Sequence, residues 1–358
     1  MKFKLRSSVS VVDSGNNILE FFKTSTRQSV KIKTKDDLIK KLVLSLDGER
    51  DFDEICSDLK INSASEQLKS LISFLEKKAV LSHDDLLRGR EDYIPYGRVI
   101  HFLEDYSESD EEMLEIWERV RNSRVVIIGL GAVGTWLAVN LAQSGVRNFV
   151  FIDNDKVELS NLHRQLLFYE SDIGRQKTDV VKERLCFFEE DVSVDSYNMF
   201  LEDGVLEKVS GKVDLVINCA DKPSVDETSR IVGRFCMKKK IPHIVGGGYN
   251  LHLSLIGQTV IPYESACVNC FERQLVKIND IEGKRIKKLN IKNRKIGSFG
   301  PMCSLIASMV GMEAIKVLSG KIKPDNINRR GEFNIYDMGI SYKDFDKLDD
   351  CEWCGEGR

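Results

Sequence analysis

The glycine-rich segment after the apolar run Arg124–Ile128 constrains the fold of this chain more than any other feature of its sequence. The run is typical of a buried strand, and Gly129, Gly131 and Gly134 open a helical pattern that extends to Ser144. Glycines at this spacing allow a tight turn, a close approach of backbone to phosphate and close packing of helix on strand. The start of such a helix favours an anion. Strand, turn and helix together predict a nucleotide-binding α/β fold.

Further apolar runs predict a mainly parallel sheet covered on both faces. Residues 148–152 form a second strand that ends at Asp153, about 20 residues past the glycines, where a carboxylate can hold ribose hydroxyls. The run 213–220 ends next to Asp221, and ligands of such sheets collect at the carboxyl ends of the strands. Continuous apolar strands alternate with helices, as an α/β sheet requires. We therefore expect a Rossmann-like domain over residues 121–358.

The N-terminal part of the chain has a different pattern, which predicts a small α+β domain over residues 1–85. Alternating segments at 9–12, 18–22 and 29–32 read as strands, and a short apolar run at 79–81 as a closing strand. Between them, three apolar patterns of helical spacing cover residues 36–46, 52–59 and 65–77. Residues 86–120 read as a connector, and the acidic stretch 104–112 within it as a solvated segment.

Composition excludes several functional classes. A chain of 358 residues has room for two domains. The net charge of −3 argues against a general binder of nucleic acid or of anionic membranes, so neither is an expected partner. No run approaches about 20 apolar residues and no secretory signal is present, so we expect a cytoplasmic protein.

The nine cysteines are an odd number for a disulfide framework, and in a reducing compartment a cysteine cluster points to metal ligation. Two Cys-x-x-Cys pairs, each able to supply two thiolates, predict a closed tetrahedral site for structural Zn²⁺: Cys267 with Cys270, and Cys351 with Cys354. A redox pair is the alternative for each motif taken alone. The other cysteines are predicted to be packing residues, with Cys219 inside a buried strand: Cys56, Cys186, Cys219, Cys236 and Cys303.

The run from Asp153 to Gln165, followed by Gly174-Arg175-Gln176-Lys177, resembles the signature of the ThiF/MoeB-like adenylyltransferases, the superfamily of the ubiquitin-activating enzymes. The resemblance extends from about residue 124 to residue 358. The superfamily includes activators of sulfur-carrier proteins and the microcin C-type and pantocin-type enzymes that modify peptides. It implies ATP and Mg²⁺ as cofactors, because activation of a carboxylate with ATP requires neutralisation of the triphosphate and of the departing pyrophosphate.

The resemblance also implies roles for single residues. Asp153 would bind ribose, and Asp221 would bind magnesium. The phosphates would be surrounded by Asn161, Arg164, Gln165 and Lys177, of which the arginine can clamp two oxygens and the lysine acts as a point charge. Asp155 either belongs to this set or caps a turn. Taken singly, Arg164 and Lys177 could be surface charges, and Asp221 could be a helix N-cap.

Two upstream features extend the resemblance. Tyr96-Gly97-Arg98 stands where relatives carry a Tyr-x-Arg segment whose arginine reaches the triphosphate of the partner subunit. This implies a homodimer with Arg98 as an arginine finger, the alternative being an ordinary connector arginine.

Residues 1–85 resemble the winged-helix-like (PqqD-like) element that recognises leader peptides. A sheet with a free edge can accept an extended peptide as an added strand; the alternative is a packing or dimerisation domain.

The segment after the first cysteine pair lacks the nucleophilic cysteine of the sulfur-transferring and ubiquitin-type relatives. This absence between Gln274 and Phe299 argues against a thioester or persulfide step, but not against adenylation alone. The crossover segment 275–298 is strongly basic and could fold over ATP and an acidic peptide, or be a solvated loop. Its cationic residues are Lys277, Lys284, Arg285, Lys287, Lys288, Lys292, Arg294 and Lys295.

Three hypotheses follow from the sequence. The first is an enzyme that binds a ribosomal precursor peptide through its leader and activates a carboxylate or amide of that peptide. Its product would carry AMP or a ring closed by dehydration of glutamate side chains. The second is adenylation of the C-terminal Gly-Gly of a ubiquitin-like sulfur carrier. The third is a partner protein without catalytic activity that only presents a leader peptide.

Overall fold

The computed structural model describes residues 1–35, 37–83, 89–91, 93–189, 191–250, 252–279 and 297–355. The chain divides into two compact units, Met1–Glu118 and Arg119–Arg358. The first unit therefore includes nearly all of the segment predicted as a connector, up to Glu118. The described part of that segment folds with the N-terminal elements.

The first unit contains the predicted strands and helices in the predicted order, with an unpredicted strand before them and an unpredicted helix after them. They are β1 (Phe3–Leu5), β2 (Val9–Asp13), β3 (Ile18–Lys23), β4 (Gln28–Lys33), α1 (Leu38–Ser45), α2 (Phe52–Asp58), α3 (Glu66–Lys77), β5 (Leu81–His83) and α4 (Tyr93–Glu104). β2, β3 and β4 form an antiparallel sheet with β3 in the centre, and β1 pairs with β5. The outer edges of β2 and β4 have no strand partner in the described residues.

This unit has its own hydrophobic core. Leu19 and Phe21 of β3 pack with apolar side chains of α1, α2 and α3, including Leu42, Ile55 and Leu75. The helices begin where local chemistry predicts. Ser65 accepts a hydrogen bond from the Leu68 N–H, and a capping box starts α2 at Asp51.

The acidic stretch 104–112 is only partly solvated, which corrects the prediction from its charge: Glu108 and Glu111 are exposed, but two other carboxylates are buried. Glu104 is 1% exposed and Asp110 is 5% exposed. Arg6 donates from Nη1 to the carbonyl oxygens of Glu104 at 2.6 Å and Ser107 at 2.9 Å. The Glu104 carboxylate accepts hydrogen bonds from Ser7. Partners that are distant in sequence therefore satisfy the backbone and the carboxylate of Glu104 in the interior.

α5 (Asp110–Asn122) carries the chain into the second unit. That unit consists of β6 (Arg124–Ile128), α6 (Ala132–Gln143), β7 (Asn148–Ile152), α7 (Lys177–Phe188), β8 (Ser193–Tyr197), β9 (Leu215–Asn218), α8 (Val225–Lys239), β10 (His243–Val245), β11 (Gly248–Asn250), β12 (Leu253–Ile256), β13 (Thr259–Val260), α9 (Val268–Ile278), α10 (Gly300–Ser319), β14 (Arg329–Asn334) and β15 (Gly339–Asp344).

The main sheet confirms the predicted α/β fold. Its strand order is β13-β10-β9-β6-β7-β8, parallel throughout except for the pair β10 and β13. The chain runs from β6 outward through β7 and β8, then returns to the other side of β6 with β9. This reversal leaves a crevice at the carboxyl ends of β6 and β9, where ligands of such sheets bind. A second, antiparallel sheet has the order β11-β12-β14-β15.

Both faces of the main sheet are covered, as the apolar strands predict. Val125 and Ile127 of β6 belong to a core that includes residues of α6, α7 and α10. Val126 and Ile128 face a second core with Val232 of α8. Successive side chains of one strand therefore enter two different cores, which explains the continuous apolar run.

One helix of the described residues, α10, is long and apolar enough to cross a membrane by length and composition. Just over half of its apolar window is buried in the protein, as in the core helix of a soluble protein. Its Glu313 is buried and accepts hydrogen bonds from Asn326 N at 2.9 Å, Asp325 N at 3.0 Å and Lys316 Nζ at 3.0 Å. These contacts fasten the helix to the loop before β14.

Candidate active site

The glycine turn after β6 lies in the crevice. Gly129 has a φ of +87°, and a Cβ there would lie 2.8 Å from the backbone nitrogen of Ala220, so only glycine allows the segment after β9 to pass this close. A Cβ on Gly134 would overlap the carbonyl oxygen of Gly129. In contrast, a Cβ on Gly131, the N-cap of α6, would meet no atom within 4 Å. The turn thus leaves open space in front of a helix N-terminus.

Asp153 follows β7 and braces this turn. Its Oδ2 accepts a hydrogen bond from the Leu130 N–H at 2.5 Å, and its Oδ1 accepts one from Asp155 N at 2.6 Å. Burial raises the pKa of Asp153, an effect that the nearby charge of Lys177 and these two hydrogen bonds only partly offset. The carboxylate lies at the predicted edge of the site, and its role toward ribose stays a prediction.

Asp155 binds two lysines instead of capping a turn. Lys177 Nζ lies 3.2 Å from Asp155 Oδ2, and Lys222 Nζ lies 3.1 Å from Oδ1 and 3.2 Å from Oδ2. Burial alone would raise the pKa of Asp155, but the two ammonium groups lower it overall. Lys177 is buried at the first residue of α7, and its N–H also donates to the carbonyl oxygen of Asp155. Three charged groups thus meet beside the glycine turn.

Three further predicted residues share the loop between β7 and α7. Asn161 uses its Oδ1 to accept a hydrogen bond from Glu158 N at 3.1 Å, which closes its own turn. Arg164 donates from Nη1 to the carbonyl oxygen of Ser160 at 2.7 Å. Gln165 is buried, and its Oε1 has no hydrogen-bond partner in the described residues. The loop therefore presents unused polar groups.

Neighbouring helices hold this loop in place. Trp136 of α6 donates from its indole Nε1 to the carbonyl oxygen of Arg164 at 3.2 Å. At the start of α10, a Cβ on Gly300 would lie 3.2 Å from the carbonyl oxygen of His163. The position of Arg164 is thus set by packing on both sides.

Asp221 lies beyond the carboxyl end of β9 with an exposed side chain. It is not the N-cap of α8, because Ser224 performs that role by accepting a hydrogen bond from Glu227 N at 3.2 Å. The adjacent Lys222 has a raised pKa: burial lowers it, but the hydrogen bond to Asp155 and the charges of Asp155, Asp221 and Asp153 outweigh burial.

A cavity of about 430 Å³ adjoins these residues and was missed by the sequence reasoning. Its lining consists of four apolar side chains, three acidic ones and one lysine: Phe200, Leu201, Pro223, Ile231, Glu202, Asp203, Glu227 and Lys222. The segment 200–203 follows β8 and residues 222–223 follow β9. The rule that ligands collect at the carboxyl ends of parallel strands could have indicated both segments.

ATP and Mg²⁺ fit the groups present here. Lys177 can neutralise phosphate oxygens, and Arg164 has only Nη1 engaged within the part of the chain that the structure describes. Gly131 leaves space at a helix N-terminus, where backbone N–H groups attract anions. The exposed carboxylate of Asp221 suits a cation that usually binds through one or two carboxylates plus substrate phosphates.

The two Cys-x-x-Cys pairs come together as one buried cluster. The Sγ atoms of Cys267, Cys270, Cys351 and Cys354 all lie within 4.8 Å of one another. Neighbouring sulfurs are 3.4 to 3.8 Å apart. Zinc at about 2.3 Å from four thiolates places the sulfurs about 3.8 Å apart, so the cluster suits tetrahedral Zn²⁺.

Hydrogen bonds to the sulfurs also suit metal ligation. Leu348 N donates to Cys270 Sγ, and Asn269 Nδ2 donates to Cys351 Sγ, both at 3.5 Å. Such donors stabilise thiolates in metal sites. The cluster ties α9 to the C-terminal tail.

The remaining predicted groups lie elsewhere. Arg98 is exposed on α4 in the first unit. Cys56, Cys236 and Cys303 are buried, as expected of packing residues. Cys219, by contrast, is half-buried just after β9 and not inside it, and burial raises its pKa to about 12. Of the basic crossover, residues 280–296 lie outside the described residues.

Comparison with known sequences gives consistent matches. The sequence profile of the ThiF family matches residues 100–353. The sulfur carrier protein ThiS adenylyltransferase of Escherichia coli is 30% identical over 246 residues, which cover 69% of this chain and 87% of that protein. The molybdopterin-synthase adenylyltransferase of the same organism is 28% identical over 244 residues, covering 67% and 90%.

Comparison with solved structures covers nearly the whole chain. The crystal structure of E. coli MccB with ATP has a TM-score of 0.75 at 22% identity, over 99% of this chain and 100% of that one. The microcin C7 biosynthetic enzyme MccB in complex with N-formylated MccA has the same TM-score and coverage at 20% identity. These matches show that the fold is shared along the full length.

Proposed function

The chain belongs to the ThiF family, and on this basis we propose that it is an ATP- and magnesium-dependent adenylyltransferase that modifies a ribosomally made precursor peptide. The observation that carries the proposal is the extent of the fold match. MccB, with ATP and MccA in its solved structures, matches 99% of the chain. The sequence alignments with the sulfur-carrier adenylyltransferases, by comparison, cover 67–69% of it and leave out the N-terminal part.

In the proposed reaction, an oxygen of a peptide carboxylate or amide attacks the α-phosphorus of ATP, and pyrophosphate leaves. Lys177 and Arg164 neutralise the phosphates, while Asp153 holds the ribose and Asp221 holds Mg²⁺. Asn161 and Gln165 complete the phosphate site. Retention of AMP gives a nucleotidylated peptide. Alternatively, a neighbouring nucleophile of the peptide attacks the activated carbonyl carbon, the bond from that carbon to the AMP oxygen breaks, and a ring forms as AMP leaves.

We propose that the first unit binds the leader of this peptide. The sheet of β2, β3 and β4 has outer edges without a strand partner in the described residues. An extended peptide can pair with such an edge through its backbone, so that recognition needs no preformed pocket. The peptide would then reach the catalytic unit in the cytoplasm.

Our proposal that the protein is a homodimer rests on Arg98. Its side chain is exposed on α4 and available to a second copy of the chain. If it acts in trans, Arg98→Ala and Lys177→Ala are each inactive, yet a mixture of the two variants regains activity through hybrid dimers with one intact site. Absence of such complementation, with mixed dimers shown by mass, contradicts the action in trans.

Adenylation of a sulfur-carrier protein is the second candidate, favoured by the 30% identity to the ThiS adenylyltransferase. It would use the same ATP groups but normally needs no leader-binding unit. A carrier that ends in Gly-Gly should then support pyrophosphate exchange with ATP, whereas a precursor peptide should not.

The deciding experiment incubates the full chain with ATP, Mg²⁺ and candidate precursor peptides, including any short open reading frame found next to its gene, and follows peptide mass and nucleotide products. A gain of one adenylyl group, which is the mass of AMP minus one water, supports nucleotidylation, and a loss of water supports cyclisation. An absence of ATP turnover with every peptide contradicts the enzyme and supports a leader-binding partner protein.

Asp221→Ala tests whether catalysis and leader binding belong to different units. It should abolish turnover and leave the binding of the leader peptide unchanged, because Asp221 belongs to the catalytic unit. If the variant loses both, the proposed division of labour is wrong.

A further inference from the structure

Lys222 is a charged residue of the nucleotide site to which the proposed function assigns no role. It follows Asp221 beyond the carboxyl end of β9, two residues after Ala220, whose backbone lies against Gly129 of the glycine turn. Among the described residues that line the 430 Å³ cavity, it is also the one cation. Lys222 therefore stands between the cavity and the turn expected to hold phosphates.

The geometry around Asp155 shows what this lysine can bind. Asp155 Oδ2 lies 3.2 Å from the ammonium nitrogen of Lys177 and 3.2 Å from that of Lys222. One anionic oxygen is thus held by two ammonium groups at once. A phosphate oxygen has the same charge and the same capacity to accept, so the carboxylate oxygen occupies a position that suits a phosphate oxygen.

The two lysines differ in their freedom to move. The side chain of Lys177 is 5% exposed and its backbone is bonded to Asp155, whereas the side chain of Lys222 is 64% exposed. An ion pair of an exposed lysine contributes little to stability, so Lys222 can leave Asp155 although Asp221 and Asp153 also attract it. Lys177 then still neutralises the Asp155 carboxylate.

We propose that Lys222 is a second phosphate-binding residue, which leaves Asp155 when a nucleoside triphosphate enters and binds one of its phosphate oxygens. Asp155 is then a counter-ion that keeps both ammonium groups in place in the empty site, and not a ligand of the nucleotide. The inference rests on the proposed function, because the triphosphate is that of the proposed reaction.

The test measures binding of ATP, AMP and adenosine to the full chain by displacement of a fluorescent ATP analogue, for wild type, Lys222→Met, Lys222→Arg and Lys212→Met. Lys212 is the matched control, because it lies near the amino end of β9 and pairs with Asp214, with its side chain 87% exposed. Thermal unfolding of each variant confirms that it is folded.

We expect Lys222→Met to raise the Kd for ATP roughly 10-fold or more, the usual range for one lost charge-assisted hydrogen bond. The Kd for adenosine should not change, Lys222→Arg should retain most of the affinity for ATP, and Lys212→Met should resemble wild type. Equal losses for ATP and adenosine, or no loss for ATP, overturn the inference.

The experiment also separates this inference from the proposed function. If wild type binds none of the nucleotides, the proposed function fails and the inference fails with it. If wild type binds ATP and turns it over with a peptide while Lys222→Met binds ATP equally well, only the inference is overturned.

Discussion

At the scale of single residues, the glycines of the turn after β6 have different tasks although they belong to one motif. Gly134 and Gly129 are required by packing, since a Cβ on either would meet backbone atoms. Gly131 has an ordinary φ of −79° and open space in front of it. Its lack of a side chain matters only if a ligand occupies that space.

This difference yields a paired prediction. Gly134→Ala should lower the free energy of unfolding by about 1–3 kcal/mol, because the methyl group overpacks the turn. Gly131→Ala should change it by less than about 0.5 kcal/mol, yet raise the Kd for ATP. Urea unfolding and nucleotide titration measure the two effects. A Gly131→Ala variant with unchanged ATP binding contradicts the placement of phosphates at this helix.

His243 provides a pH-dependent prediction. It is buried in β10, its Nδ1 donates to the carbonyl oxygen of Ile241 at 3.3 Å, and its Nε2 has no partner in the described residues. Burial lowers its pKa from 6.5 to about 4. Between these values the unfolded chain binds a proton that the folded chain excludes. The free energy of unfolding therefore decreases as the pH falls from 6.5 to 4, by at most about 3 kcal/mol.

The measurement is urea unfolding between pH 4 and 7. His243→Leu should remove this part of the acid sensitivity, because it removes the group that the unfolded chain protonates. His163→Gln, at an exposed histidine, should keep it. Equal pH profiles for wild type and His243→Leu would show that the buried imidazole does not contribute.

At the scale of elements, the cysteine cluster joins parts of the chain that are far apart in sequence. Besides linking α9 to the tail, it places Trp353 against α8, where a Cβ on Gly233 would lie 3.1 Å from the indole ring. Arg230 of α8 also pairs with Glu272 of α9 at 2.8 Å. Because α8 begins directly after residues 221–224, the cluster supports the helix next to the nucleotide site.

We therefore predict that the purified chain contains one zinc ion and that Cys354→Ser loses it. The variant should also unfold at a lower temperature, because a structural zinc contributes directly to folding. Metal analysis and thermal unfolding are the measurements. Cys186→Ser, at a half-buried cysteine outside the cluster, should keep the zinc. A metal-free wild type with four titratable thiols in the cluster would contradict the zinc assignment.

At the scale of the whole molecule, the two units have separate hydrophobic cores. Phe21 is fully buried in the first unit, so Phe21→Ala should cost about 3–5 kcal/mol there. Because its neighbours all belong to the same core, leader binding should be lost while ATP binding is kept. Peptide and nucleotide titrations of this one variant test the prediction, and loss of ATP binding would show that the units do not act separately.

The sequence by itself determined the order of the strands and helices between residues 9 and 81, three strands of the main sheet, the glycine turn and the two cysteine motifs. These features follow from local periodicity, from backbone conformations that only glycine adopts easily, and from ligand spacing, all of which are readable over a few residues. The same signals located Asp153, Lys177 and Asp221 at strand and helix ends. They could not tell which charges would meet.

Tertiary structure alone decided the contacts between distant loops. Asp155 and Lys222 are 67 positions apart and meet because β9 returns to the side of β6 opposite β7. Glu104 can be buried because Arg6 and Ser7, 98 and 97 positions earlier in the chain, form hydrogen bonds with it. The sequence around a charged loop residue has no periodic pattern that indicates which residue it will contact. Its surroundings depend on strand order and packing, which the chain specifies only when it is folded.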